Sequence, residues 1–162
     1  KDTSIIHNFN KKFDAKSDGP KCFQWFGFDD TVTNMKDLVE NSIEIFNRNG
    51  NASSNTDLYK LEIIISDGIC ENHSEISRLV RRAKEEKLLI VFVIIDGLNK
   101  NKESITDMSQ VKYETDESGN MDMKINKYLD TFPFENYTIV DNITELPEMI
   151  CQILRTFFMS SV

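Results

Sequence analysis

The stretch Leu61-Glu62-Ile63-Ile64-Ile65-Ser66-Asp67-Gly68 decides the fold. Consecutive β-branched residues without polar alternation predict a central strand, buried on both faces, of the kind found inside parallel sheets. Asp67-Gly68 breaks that strand into a turn. Beyond it, Asn72 and Glu75 form a capping pair for a helix whose apolar residues Ile76, Leu79, Val80 and Ala83 keep helical spacing. Its outer face, with Arg78, Arg81, Arg82, Lys84, Glu85 and Glu86, reads as a solvated surface. Leu88 to Ile95 is a second, wholly apolar run ending at Asp96-Gly97. Strand, helix and strand of these lengths make a βαβ unit, so the two strands are predicted to be parallel. Ligands of open α/β sheets collect at the carboxyl ends of the strands, which makes Asp67 a candidate site residue. The plainer role is turn chemistry, with Asp bonding its own backbone and Gly supplying positive φ, and the residues alone leave both open.

On the N-terminal side, Leu38, Val39, Ile43 and Phe46 follow helical spacing from Met35, and Asn49-Gly50 is a natural stop. Further back, Ile5 and Ile6 form only a scrap of strand and residues 11–21 read as loop. Downstream, 99–123 is polar and charged and reads as an insertion or mobile loop. Tyr137 to Val140 is a short strand. A last helix starts near Thr144, tolerates Pro147 in its first turn, and is expected to bury Leu146, Ile150, Ile153, Leu154 and Phe157. A parallel sheet whose first clear strand arrives at residue 61 has too few strands to cover its helices, so residues 1–162 are expected to be a single, partial domain.

Composition narrows the function. With 162 residues, 40% of them hydrophobic, the chain suits one compact domain. Its 27 acidic against 19 basic residues, a net charge of -8, disfavour contact with nucleic acid or an anionic membrane surface. No apolar run is long enough to span a bilayer, and a soluble intracellular domain is expected. Cys22, Cys70 and Cys151 are widely spaced, lack CxxC pairing and are expected to be reduced, with Cys22 and Cys151 as packing residues.

Two enzyme-like patterns compete with a binding role. Cys70 and His73, after a strand and at a helix start, could serve an α/β cysteine hydrolase, since a helix N-terminus lowers a thiol pKa. Asp29-Asp30 with Asp67 could imitate a phosphoacceptor domain, but the pair follows an aromatic stretch and no Lys follows Tyr137 to Val140.

Several segments, in order, carry a resemblance: Trp25-Phe26-Gly27-Phe28 with Thr33-Asn34, Ile63-Ile64-Ile65-Ser66-Asp67-Gly68, Leu79-Val80-Arg81-Arg82-Ala83 and Val91-Phe92-Val93-Ile94-Ile95-Asp96. Ser104-Ile105-Thr106-Asp107-Met108, Tyr128-Leu129-Asp130-Thr131-Phe132-Pro133-Phe134 and Glu145-Leu146-Pro147 complete the set. From about Cys22 onward the chain resembles the C-terminal domains of the midasin family, very large dynein-like AAA ATPases that remodel precursors of the large ribosomal subunit. The resemblance implies an α/β fold of the von Willebrand factor A type, a Rossmann-like, mostly parallel sheet flanked by helices. It also implies a metal-ion-dependent adhesion site in which Thr33 and Asp67 match two ligand positions, with Thr31 a competitor for the first. The implied cofactor is Mg²⁺, and the implied partners are ubiquitin-like domains of ribosome assembly factors, the AAA ring of the parent protein and the pre-60S particle, in the nucleus. No catalysis by this chain is implied.

The chain departs from the family pattern at the DxSxS motif. Asp2-Thr3-Ser4, Asp107-Met108-Ser109 and Asp116-Glu117-Ser118 each continue wrongly. Metal binding by this chain is therefore expected to be weak unless that segment is supplied.

Overall fold

A computed structural model of the chain describes residues 5–8, 11–24, 34–50, 59–96, 103–115 and 121–160. Thr31, Thr33, Asp29-Asp30 and the aromatic run at 25–28 lie outside these. Ile5 and Ile6 are in no strand, and a short helix α1 (Gly19–Gln24) replaces part of the expected loop.

The sheet has three parallel strands in the order β1 (Lys60–Ser66), β2 (Leu88–Ile95), β5 (Tyr137–Val140). The register runs from Lys60 opposite Leu88 to Ser66 opposite Ile94, and from Phe92 opposite Tyr137 to Ile95 opposite Val140. The expected βαβ unit is present, with helix α3 (His73–Glu85) as its crossover. This is the mixed α/β, Rossmann-like arrangement expected of an A-type domain.

Centrality falls differently from the expectation. β2 is the middle strand, and β1 has a hydrogen-bonded neighbour on one side only among the described residues. The side chains of the two strands differ as well. β2 is apolar at all eight positions, whereas β1 carries Glu62 and Ser66 and leaves Ile65 nearly half exposed.

The core forms on one face of this sheet. Alternation along β2 sends Leu88, Ile90, Phe92 and Ile94 towards helices α2 (Met35–Gly50) and α3, where they meet Val39 and Ile43 from α2 and Ile76, Leu79 and Ala83 from α3. Phe92 is fully buried and packs against Phe132 and Phe134 at ring-centre distances of 5.3 and 4.8 Å.

The other face is covered less completely. Helix α4 (Leu146–Ser160), preceded by a 3₁₀ turn at Ile143–Glu145, reaches this face at Met149, whose sulfur accepts from Thr138 Oγ1 at 3.6 Å. Its expected buried stripe is only half-buried, because an open groove of about 590 Å³ lined by Leu89, Val91, Tyr137, Ile153 and Phe157 separates helix from sheet. Cys151 is exposed on this helix, contrary to the packing role expected of it.

Within 99–123 the structure also differs from the loop reading. β3 (Ser109–Thr115) and β4 (Met121–Lys127) pair antiparallel, with Val111 opposite Ile125 and Tyr113 opposite Met123. These residues and Met121 share one face of the ribbon and are each half or more exposed.

Three side-chain links fix the direction of α2. Near its start Lys36 pairs with Glu75 of α3 at 3.0 Å, in its middle Ser42 Oγ donates to Glu62 Oε1 at 2.6 Å, and near its end Asn47 bonds Glu86 and accepts from Lys60 Nζ at 3.0 Å. α2 therefore runs antiparallel to β1. Its N-terminus stands beside that of α3, at the carboxyl end of the sheet.

Glu62 gives this interface a pH signature. Among the described residues its Oε2 is buried without a hydrogen-bond partner, and burial raises its pKa against the opposing effect of the Ser42 bond. Below the unfolded-state value both states are protonated and no penalty arises. As pH climbs from the ordinary carboxylate range through the raised folded value, the fold must either hold a proton or bury a charge, and stability falls. Thermal unfolding of the parent relative to Glu62→Gln should shift downward from about pH 4 towards neutrality. A difference between the two proteins that does not change with pH contradicts this.

Candidate functional site

Asp67 is exposed at the end of β1, where the chain turns sharply. Its Oδ1 accepts the backbone N–H of Ile69 at 3.1 Å and lies 3.3 Å from Ser66 Oγ. The turn role is thus real, an Asx turn of the ordinary kind. It uses one carboxylate oxygen. Oδ2 takes no hydrogen bond among the described residues, so Asp67 both closes the turn and presents an acceptor to solvent.

Gly68 follows at φ +82°, backbone that L side chains rarely adopt. Its Cα is also closely covered: a Cβ placed there would lie 2.7 Å from Ile105 Cδ1 and 3.1 Å from Ile94 Cγ2. Conformation and space both demand glycine.

Behind the turn sits a polar knot. The Tyr128 phenol, buried in the 3₁₀ turn after β4, accepts the Cys70 N–H at 2.9 Å and donates its single proton to the Gly68 carbonyl at 3.0 Å. Desolvation pushes that phenol well above its ordinary pKa and keeps it a donor. His73 Nε2 lies 3.1 Å from the Cys70 carbonyl, which can only accept, so Nε2 carries the ring proton there. Nδ1 faces Thr131 Oγ1 at 3.2 Å. The expected cap of α3 takes another form: Asn72 adopts left-handed backbone at φ 57° without a side-chain cap, and its carbonyl receives the Glu75 and Ile76 amides.

This geometry does not suit the thiol hydrolase reading. Cys70 is buried, desolvation raises its pKa, and the His73 nitrogen beside it, Nε2, carries the ring proton and addresses the Cys70 carbonyl and the Tyr128 hydroxyl, while Nδ1, the nitrogen able to take a proton, faces Thr131. Iodoacetamide at neutral pH should modify the exposed Cys151 well before Cys70; preferential labelling of Cys70 would revive the hydrolase.

At the end of β2, Asp96 Oδ2 accepts from Ser104 Oγ at 2.6 Å and from the Ile105 N–H at 3.2 Å. This second strand-end carboxylate anchors the segment that lays Ile105 over Gly68. The candidate second ligand, Thr33, lies outside the described residues. Asn34, next in the chain, starts α2 by accepting the Asp37 N–H at 3.2 Å. The α2 N-terminus stands at the same end of the sheet as Asp67.

Among the described residues no three Asp, Glu, His or Cys side chains are grouped to hold a metal ion. A hard divalent cation takes six or more oxygens. Asp67 offers a carboxylate of the chemistry such an ion takes, and the described residues do not gather a set of three around it.

Comparison with known proteins supplies the relation. Midasin of Dictyostelium discoideum is 28% identical over 158 residues, 97% of this chain. The chain is similar to midasin. Midasin of Giardia intestinalis matches at 31% identity over 101 residues, 62% of the chain. The chain spans only 3% and 2% of the lengths of these two relatives. No protein-family model matches. Among solved structures, the conserved hypothetical protein BatB from Bacteroides thetaiotaomicron aligns with 85% of the chain and 67% of its own, at a TM-score of 0.48 and 14% identity.

Tyr128, Ile105 and Asp96 complete the surroundings of Asp67, and sequence reasoning assigned them no role there. Tyr128 lies in one of the segments on which the resemblance rests, but its bonds to Gly68 and Cys70 cross about sixty residues and leave no periodic trace.

Proposed function

We propose that this chain is a metal-dependent protein-binding domain serving ribosome biogenesis as part of a midasin. It engages ubiquitin-like domains of ribosome assembly factors, and ATP hydrolysis elsewhere in the parent protein uses that grip to remodel pre-60S particles in the nucleus. The chain itself binds and does not catalyse. The observation that carries this reading is the exposed Asp67 carboxylate at the carboxyl end of the parallel sheet, the same end to which the antiparallel course of α2 brings its N-terminus. The relation to midasin in two species supports the assignment.

Asp67 and Thr33 are the residues of this chain that would hold the metal, Asp67 directly or through a bound water. Mg²⁺, when bound, supplies a partly hydrated, electron-poor position that a partner's Asp or Glu can complete. The chain's own task is to orient the two oxygens. The Asx turn fixes Asp67 through Oδ1 and leaves Oδ2 outward, while the buried phenol behind the turn keeps its backbone from relaxing.

The test is capture of ubiquitin-like domains from ribosome assembly factors by the immobilised chain, in millimolar Mg²⁺ and again in EDTA. Capture in Mg²⁺ that chelation abolishes is expected, along with weak Mg²⁺ binding by calorimetry in the absence of a partner. Capture that ignores the chelator assigns the interface elsewhere, and tight stoichiometric Mg²⁺ binding contradicts the incomplete ligand set.

A further inference from the structure

The ribbon β3–β4 leaves the domain and returns to it at two feet, and both feet rest on the turn that carries Asp67. At the entering foot, Asp96 holds the Ser104 hydroxyl and the Ile105 amide, and the Ile105 side chain covers the Gly68 Cα. At the returning foot, Tyr128 joins its phenol to the Cys70 N–H and the Gly68 carbonyl. The feet are tied to each other, since the Tyr128 N–H donates to the Met108 carbonyl at 2.9 Å. Ile105 and Tyr128 are both buried, and so are Gly68 and Cys70.

From this arrangement we infer that Tyr128 and Ile105 are positioning residues for the Asp67 carboxylate, so that the base of the ribbon sets the readiness of the candidate site. The inference rests on the metal-dependent reading of Asp67 and adds residues and a control element to it. Tyr128 acts on the backbone that carries Asp67 and does not touch the ion. Its phenol satisfies the acceptor of the Gly68–Ile69 peptide and the donor of the Ile69–Cys70 peptide, groups on buried residues that the ring covers. Without the hydroxyl the Gly68–Cys70 backbone must turn outward to find solvent, and the Asx bond from Ile69 to Asp67 lies between those two residues. Ile105 holds the same turn by packing, together with Ile94, into the space a side chain at Gly68 would use. The ribbon is therefore a bracket whose displacement reaches Asp67 through two short contacts.

The test uses the 162-residue chain, ¹⁵N-labelled, with Mn²⁺ as the probe and backbone amide broadening as the readout. In the parent chain, broadening should centre on the amides of Ser66 to Ile69, and Asp67→Asn should remove it. Tyr128→Phe keeps the buried ring and deletes only the hydroxyl; it should raise the Mn²⁺ concentration for half-broadening by roughly tenfold, as loss of a residue supporting a metal ligand commonly does. The Cys70 amide should also exchange faster with solvent. Ile105→Val, which trims the methyl nearest Gly68, should act in the same direction more weakly and serves if Tyr128→Phe fails to fold. Ile153→Ala on α4 supplies loss of packing away from the site and should leave the Mn²⁺ response unchanged. A response of Tyr128→Phe and Ile105→Val equal to the parent's overturns the positioning role while Asp67→Asn still abolishes broadening. A response weakened equally by Ile153→Ala reduces the effect to general destabilisation and also overturns it. Broadening that survives Asp67→Asn removes the metal reading itself, and this inference with it.

Discussion

Phe92→Ala is expected to lower the thermal midpoint of the chain by on the order of 10 °C, corresponding to a loss of about 3–5 kcal/mol. Phe92 has no solvent exposure and lies in the middle strand, where it is paired to Ile64 on one side and Tyr137 on the other. Its ring meets Phe132 edge-on and Phe134 at a tilt, so truncation removes aromatic contacts as well as buried area. Those neighbours follow the ribbon's returning foot, and a cavity at Phe92 therefore loosens the segment that begins with Tyr128. Differential scanning calorimetry checks the size, and a shift of only a degree or two would mean that the core collapses into the space more readily than close packing allows.

Gly68→Ala should cost about 2–4 kcal/mol, from a left-handed backbone forced on a residue with a side chain and from overlap with its neighbours. Ile105 Cδ1, the end of a flexible side chain, can yield some of the 2.7 Å approach. Ile94 is fully buried and has nowhere to go. Relief must come from the backbone of the Asp67–Cys70 turn itself. The variant should therefore lose metal-dependent capture of ubiquitin-like domains out of proportion to its loss of stability. Chemical denaturation and capture measured on the same preparation compare the two, and parent-like stability would contradict the crowding around Gly68.

Much of the fold could be read from the sequence because single elements carry it. The eight apolar residues of β2 admit little besides a buried strand, and the helical spacing of Ile76, Leu79 and Ala83 agrees with the face that α3 buries. The resemblance to the midasin family was likewise legible in short segments of the sequence. What escaped the sequence depends on neighbours distant along the chain. β1 has β-branched residues enough for a central strand, yet only its pairing decides that it flanks β2. The stripe of α4 has the right spacing but meets a sheet face across an open groove.

The ribbon is hidden for a different reason. Val111 and Tyr113, and then Met121, Met123 and Ile125, alternate with polar residues as strands do, but the charged stretch between them gives the region the composition of a loop. At the candidate site, the strand-to-turn break points to Asp67 and leaves open whether it serves the turn or a ligand. No local pattern announces that a tyrosine sixty residues later will hold the turn behind it.

The most direct test of the central claim, that Asp67 links this domain to its partner through a metal ion, is the affinity for a captured ubiquitin-like domain measured by titration with parent and Asp67→Asn chains, each in Mg²⁺ and in EDTA. Asp67 is exposed, so the substitution should leave the unfolding midpoint nearly unchanged. The account predicts at least a tenfold loss of affinity for Asp67→Asn in Mg²⁺, a cost of about 1.4 kcal/mol or more, and no difference between the two chains in EDTA. Equal affinities in Mg²⁺ would contradict it.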